Sequence, residues 1–278
     1  YIPDDGLWQP DAPWDLGLWQ ARWGDVIVAT AGDVMALYPQ PIDRSRRQPM
    51  LVRGASRLRA AVPVADTLRR ATTPEDVQVK TYRVPYAEFF AVEEYDLRYR
   101  RFDGGDGPVV NRAVFVNGDA VTVLPYDPVR DRVLLIEQFR PAPFARGDAQ
   151  PWVLEVVAGR IDPGESPEDA ARREASEEAG LTLTNLLPIA KYYPSPGAVT
   201  EYLYSYVALT DLPDEAAIIG GVESEAEDIK GHIISFDRFL DLIRRGEVNT
   251  APLILSALWL ERERPALRRK AAEPGAKG

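Results

Sequence analysis

The chain has 278 residues, 45% of them hydrophobic and 27% charged, which fits one large soluble globular domain or two small ones. A formal net charge of −10 argues against binding along a phosphate backbone, and the absence of cysteine excludes disulfides, thiolate metal sites and a cysteine nucleophile. With one histidine, His232, and no Gly-x-Ser-x-Gly elbow, the chemistry on offer is that of carboxylates and arginines.

Apolar runs such as Ala251–Leu260 are too short to span a bilayer, so no membrane partner is expected. No charged segment followed by an apolar run opens the sequence, so no secretory signal is expected. A cysteine-free chain fits the cytoplasm. Residues 1–80 hold four of the six tryptophans (Trp8, Trp14, Trp19 and Trp23), many prolines and a basic patch at Arg44, Arg46 and Arg47. One short helix is read over Met50–Val62, and the region is an accessory domain or an extension packed on the rest.

From about Val77 the pattern changes. Strands are predicted at Val109–Val116, Ala120–Leu124 and Arg132–Gln138, with a hairpin turn at Asn117-Gly118-Asp119 and a second turn at Asp127–Asp131. Another strand covers Trp152–Ala158. Later strands fall at Lys191–Tyr193, Tyr202–Leu209 and His232–Ser235, and helices at Phe236–Arg245 and Ala251–Glu263, the last stopping before Pro265. The tail from Ala271 is expected to fray. Strands and helices alternate irregularly, which predicts an α/β fold with a mixed sheet between helices.

The segment 159–181 carries the chemistry. Ser166 is a good N-cap, Pro167 suits the first helical position, Asp169 suits a capping box and Gly180 suits the left-handed residue past the end. A helix over Pro167–Ala179 follows. Glu174, Glu177 and Glu178 then share one face, and Ala170, Ala171, Ala175 and Ala179 form a small-residue face for packing on the sheet. Crowded carboxylates repel one another, a penalty that hard divalent cations remove. Arg173 can pair with a neighbouring acid and hold it in place.

The full string, Gly159, five residues, Glu165, seven residues, Arg173-Glu174, then Ala175, Glu177-Glu178, Gly180 and Leu181, resembles the signature box of the Nudix hydrolases at every fixed position. The resemblance implies an α/β/α sandwich preceded here by a small antiparallel sheet and the N-terminal extension. It implies hydrolysis of a nucleoside diphosphate linked to another group, with Mg²⁺ (Mn²⁺ as the alternative), two or three ions per site.

Residues from about Tyr82 to Leu267 further resemble the bacterial ADP-ribose pyrophosphatases. The resemblance rests on Phe89-Phe90, on 135–140, on Ser195-Pro196-Gly197 with Glu201, and on the acidic stretch 223–229. It implies a domain over 81–270, in which 81–117 supplies dimerisation and adenine-side strands, and a homodimer with shared active sites. The Ala158 carbonyl, Glu174, Glu178 and Glu227 would hold metal, Glu225 would be the general base, and Glu177 and Arg173 would assist catalysis. Phe89 and Phe90 would face adenine, and Arg140, Arg160 and the partner's Arg112 would meet phosphate or ribose. Ser195, Pro196, Gly197 and Glu201 would line the terminal ribose. The products would be AMP and ribose 5-phosphate.

Other readings stay open. A two-residue shift exchanges Glu223, Glu225 and Glu227. GDP-mannose or NADH could replace ADP-ribose as the nucleotide substrate, and the box could serve a non-catalytic ADP-ribose-binding module. Phe89-Phe90 also reads as core, and Arg140 and Arg112 as surface ion pairs.

Overall fold

The computed structural model describes residues 15–38, 42, 44–62, 67–214, 217–221 and 227–273. Two helices lead, α1 (Leu16–Leu37) and α2 (Arg44–Ala60), and pack on each other through Val26, Leu51 and Ala55. Then β1 (Val77–Ala87), β2 (Ala91–Tyr99) and β3 (Val110–Val116) form a three-stranded antiparallel sheet in that order.

The main sheet follows: β4 (Ala120–Asp127), β5 (Arg132–Phe139), β6 (Trp152–Glu155), β7 (Val157–Arg160), β8 (Asn185–Tyr192), β9 (Leu203–Leu209), β10 (Ala217–Gly220) and β11 (Ile229–Ser235). Its order is β10-β11-β5-β4-β9-β8, with β6 on β5 and β7 on β4, and only the β4–β9 pair is parallel among those described. Helices α3 (Pro141–Arg146), α4 (Pro167–Ala179), α5 (Phe236–Arg245) and α6 (Ala251–Ala271) complete the fold.

Side-chain alternation sorts the sheet into two cores. Val121, Val123, Leu134 and Ile136 face the alanines of α4, while Leu124, Tyr126, Val133 and Leu135 face Phe236, Phe239, Leu253 and Leu260 of α5 and α6. The result is the expected α/β/α sandwich, and β4, buried at every position, is its centre. Ala170, Ala171 and Ala175 are fully buried, so a larger side chain there would overpack the seam by about 1–3 kcal/mol. No described helix is long and apolar enough to cross a membrane.

The box helix runs Pro167–Ala179 as predicted. The Ser166 hydroxyl oxygen accepts from the Asp169 N–H (3.1 Å), and Gly180 takes the left-handed conformation. Half of the expected capping box is replaced: the Ser166 hydroxyl donates to the Asp169 carboxylate (2.7 Å).

Other elements differ from expectation. Asn117–Asp119 is not a hairpin turn, because β3 pairs with β2 and β4 with β5, β7 and β9. It is a step between sheets, fixed by Ser56 and Arg59 of α2, which both bond the buried Asp119 carboxylate at 2.6 Å. The strand read over 152–158 breaks at Val156 into β6 on β5 and β7 on β4. The helix read over Met50–Val62 begins at Arg44 and ends at Ala60; β1–β3 form the small antiparallel sheet expected ahead of the sandwich, while α1, α3 and β10 were not anticipated. Helix α6 does not stop before Pro265. A proline inside a helix costs about 3 kcal/mol, and here arginines on either side offset it: Arg264 and Arg268 both bond Asp131 in the β4–β5 turn. The helix therefore continues to Ala271, and of the tail expected to fray from there, 274–278 lie outside the described residues.

Candidate active site

Helix α4 brings its carboxylates to the seam with β7. Glu178 is 2% exposed, and its Oε2 accepts the Ala158 N–H at 3.0 Å. Glu174 lies against Gly159, where a Cβ would fall 1.8 Å from its Oε1, so only glycine admits the carboxylate there. The Arg173 guanidinium bonds three of the box acids. Its Nε and Nη2 each donate to Glu165 at 3.0 Å, its Nη1 donates to Glu174 (2.8 Å) and Glu177 (2.9 Å), and its Nη2 also donates to the Arg160 carbonyl (3.0 Å).

One guanidinium does not neutralise this group. Burial pushes Glu178 up to about 9, opposed by the Ala158 N–H and reinforced by the charges of Glu174 and Glu227. Burial pushes Glu174 up to about 7, with Arg173 opposing and Glu177 and Glu227 adding to the rise. Glu227 thus shares an electrostatic neighbourhood with both. Among the described residues no three acids converge on one point as a closed cation cage. The donors are all oxygen, wholly or partly buried, and short of positive charge, which fits a hard divalent cation that keeps water or substrate oxygens among its ligands.

Strand β10 closes the same end of α4. A Cβ on Gly220 would sit 2.1 Å from the Glu178 carbonyl oxygen, and the Gly221 N–H donates to the Glu177 carbonyl (3.2 Å). Glu225, expected as the general base, and Glu223, which a two-residue shift would put in its place, lie outside the described residues.

Phe89 and Phe90 occupy the turn between β1 and β2. Their rings meet edge to face at 4.7 Å, and Phe90 packs on Phe115 at 4.7 Å. Phe89 is 49% exposed, and the Arg160 guanidinium lies 4.1 Å over its ring. The segment after β8 docks on the same strand: the Phe115 N–H donates to the Ala198 carbonyl (2.8 Å), and the Thr200 N–H donates to the Phe115 carbonyl (3.0 Å). Ser195, Pro196 and Gly197 are thereby brought to the edge of the aromatic cluster, and all three are exposed.

Arg140 caps α3, and its Nε donates to Glu155 at 2.6 Å. Its charge is felt at both Glu178 and Glu201. Glu201 accepts from the Asn117 amide at 2.8 Å, and burial raises its pKa. Arg112 is not brought to this group within one protomer. It is exposed on β3, opposite Tyr95, and donates to the Asn111 carbonyl (2.8 Å). His232 pairs with Glu137 at 2.8 Å, a structural contact between β11 and β5.

Reasoning from sequence missed four contributors. Glu165 stood at a fixed box position without a role, which was the available signal. Glu155, Asn117 and Gly220 act through partners distant in sequence, and nothing local marks them.

The NUDIX domain family model matches residues 116–254. The chain belongs to the Nudix family. It is 38% identical over 193 residues to the ADP-ribose pyrophosphatase of Escherichia coli K12, covering 69% of this chain and 91% of that protein. It is 34% identical over 169 residues to the GDP-mannose pyrophosphatase of Salmonella paratyphi B, covering 60% of this chain and 84% of that protein. A crystal structure of an ADP compounds hydrolase aligns with 69% of this chain and 98% of its own, at 22% identity and a TM-score of 0.49. Nudix hydrolases generally use divalent metal ions, which agrees with the oxygen donor set on α4.

Proposed function

We propose that this Nudix enzyme hydrolyses the pyrophosphate bond of ADP-ribose to AMP and ribose 5-phosphate. The observation that carries the reaction class is the pair of charge-deficient carboxylates on the box helix, Glu178 buried and Glu174 partly buried. The likeness to an ADP-ribose pyrophosphatase over nearly all of that protein's length supports the substrate.

Glu174, Glu178, Glu227 and the Ala158 carbonyl would hold Mg²⁺, two or three ions per site, with Mn²⁺ as the alternative. When bound, such ions neutralise pyrophosphate oxygens and lower the pKa of a bound water. Arg173 orders the acids, joining Glu165, Glu174 and Glu177 in one network. Glu225 would take the proton from the attacking water as its oxygen bonds phosphorus and the bridging P–O bond breaks. Arg140 and Arg160 would meet phosphate, Phe89 and Phe90 the adenine, and Ser195, Pro196, Gly197 and Glu201 the terminal ribose.

The catalytic unit in this reading is 81–270, working as a homodimer in which Arg112 reaches the partner's site. The small sheet supports an interface role, because Val77, Val79, Tyr82 and Tyr86 of β1 are all exposed.

The test is a panel of nucleotide substrates at matched concentration with Mg²⁺. ADP-ribose should give the highest kcat/KM. The likeness to a GDP-mannose pyrophosphatase makes GDP-mannose the second reading, and a clear guanine preference would reject the substrate and keep the reaction. Tight ADP-ribose binding without turnover of anything would reject the enzyme.

A further inference from the structure

The N-terminal helices reach the side of the site assigned to adenine. Arg53 of α2 is 1% exposed, and its Nε donates to the Asp33 carboxylate of α1 at 2.7 Å. Its Nη1 lies 3.3 Å from both the Glu88 and the Phe89 carbonyl oxygens. One buried guanidinium therefore spans two consecutive carbonyls of the turn that presents Phe89. The turn is closed by the Glu88 N–H donating to the Phe90 carbonyl (2.8 Å). Arg46, two turns earlier on the same face of α2, grips the same turn from its edge by pairing with the Glu88 carboxylate at 2.6 Å.

This arrangement is an expensive way to hold two helices together. A buried ion pair is often no more stabilising than apolar residues of similar volume, and its best-attested use is to fix one geometry among several. The geometry fixed here is that of Phe89, which stands half-exposed with the Arg160 guanidinium over its ring. The same helix touches the loop leading into the box helix, where Gln48 Nε2 donates to Asp162 at 3.3 Å. Among its other contacts, α2 thus reaches two segments that border the site.

We propose that the N-terminal helical pair is a working part of the nucleobase wall, with Arg53, assisted by Arg46, as the positioning residue for Phe89. The inference rests on the reading above in one respect, that Phe89 and Phe90 face the base.

Steady-state kinetics on ADP-ribose would be compared for the full chain, Arg53→Lys, Phe89→Ala and the double variant. Arg53→Lys keeps the charge for Asp33 and loses the bridge to two carbonyls. KM should rise about tenfold, the size of one lost base–aromatic stack, with kcat within about twofold. In the Phe89→Ala background the same substitution should add nothing. An unchanged KM, or a full additive penalty in the double variant, overturns the proposal. If circular dichroism shows Arg53→Lys unfolded, Arg46→Gln carries the test. Its KM should rise about threefold, as for a partly exposed pair, only while Phe89 is present, and no rise overturns the proposal. Absence of wild-type turnover on ADP-ribose counts against the function alone. The dissociation constants of the same four proteins for ADP-ribose, measured by calorimetry, then decide on Arg53 by the same ratios.

Discussion

Of the regions that bury carboxylates, the N-terminal helices and the box helix treat them in opposite ways. In the N-terminal helices, Asp33 is 2% exposed and receives both Arg53 (2.7 Å) and Arg57 (3.0 Å). Arg57 goes on to Glu93 of β2, at 2.6 Å. The charge is met by the chain itself. At the box helix, Glu178 is equally buried, and among the described residues its carboxylate is bonded by a backbone N–H alone. Arg173 serves Glu165, Glu174 and Glu177 and does not bond Glu178. A buried acid that the protein neutralises is architecture. A buried acid that it leaves short of positive charge is a place for an external cation, and that difference separates a clamp from a site.

The largest expected effect comes from abolishing the open charge. Glu178→Gln should lower kcat on the preferred substrate about 10³-fold, roughly 4 kcal/mol of metal-borne charge stabilisation, with the thermal midpoint retained. Near-normal turnover would remove Glu178 from the metal site. The matching change in the closed region, Asp33→Ala, should leave Arg53 buried without its acid and cost about 3 kcal/mol in urea unfolding. A loss under about 0.5 kcal/mol would show that the clamp is not closed as described.

Gly159→Ala sharpens the comparison differently. It keeps every charge and moves one, since the new methyl would overlap the Glu174 carboxylate. A displacement on the order of 1 Å should cost about 10²-fold in kcat, and wild-type kcat would mean that Glu174 has room elsewhere.

The smallest effect is on pH dependence of stability in a chelator. Glu174 and Glu178 have folded pKa values raised to about 7 and about 9 from an ordinary 4.5. The folded chain therefore binds more protons than the unfolded one between those values. Their contribution is fully present below pH 4.5 and is lost as pH rises through 7 and 9. Glu178→Gln should flatten the upper part of that slope in thermal melts, and added Mg²⁺ should oppose it in the wild type. Identical melting profiles for the two proteins in chelator would contradict the assignment.

The box was legible because its information is local. N-cap, alanine face, acids and C-terminal glycine all lie within one helix and its flanks, so spacing alone placed them. The step at Asn117–Asp119 was not legible, because a hairpin and a change of sheet share the same turn residues and differ only in which strands pair later. Helix α6 was cut short for a related reason: Pro265 is a local stop signal, and the Asp131 that offsets it lies far back in the chain. Helix α1 was missed because it buries little beyond Trp23, Val26, Thr30 and Asp33, so its apolar stripe is faint. At the site, Arg140 was legible as a cation, and its partner Glu155 was not, since only the pairing of β6 with β5 brings it near.

The Asp131 contacts also bear on the order in which the chain folds. The β4–β5 turn is held by residues of α6, and the Asp119 step by residues of α2, so the central strand is secured at one end by the beginning of the chain and at the other by its last helix. Both partners of the first grip are on hand once Asp119 has been translated. The second needs Arg264 and Arg268, which come after every strand of the described sheet. A ribosome-bound chain halted before Arg264 would carry its box helix fully translated on a sheet whose β4–β5 turn still lacks both arginines.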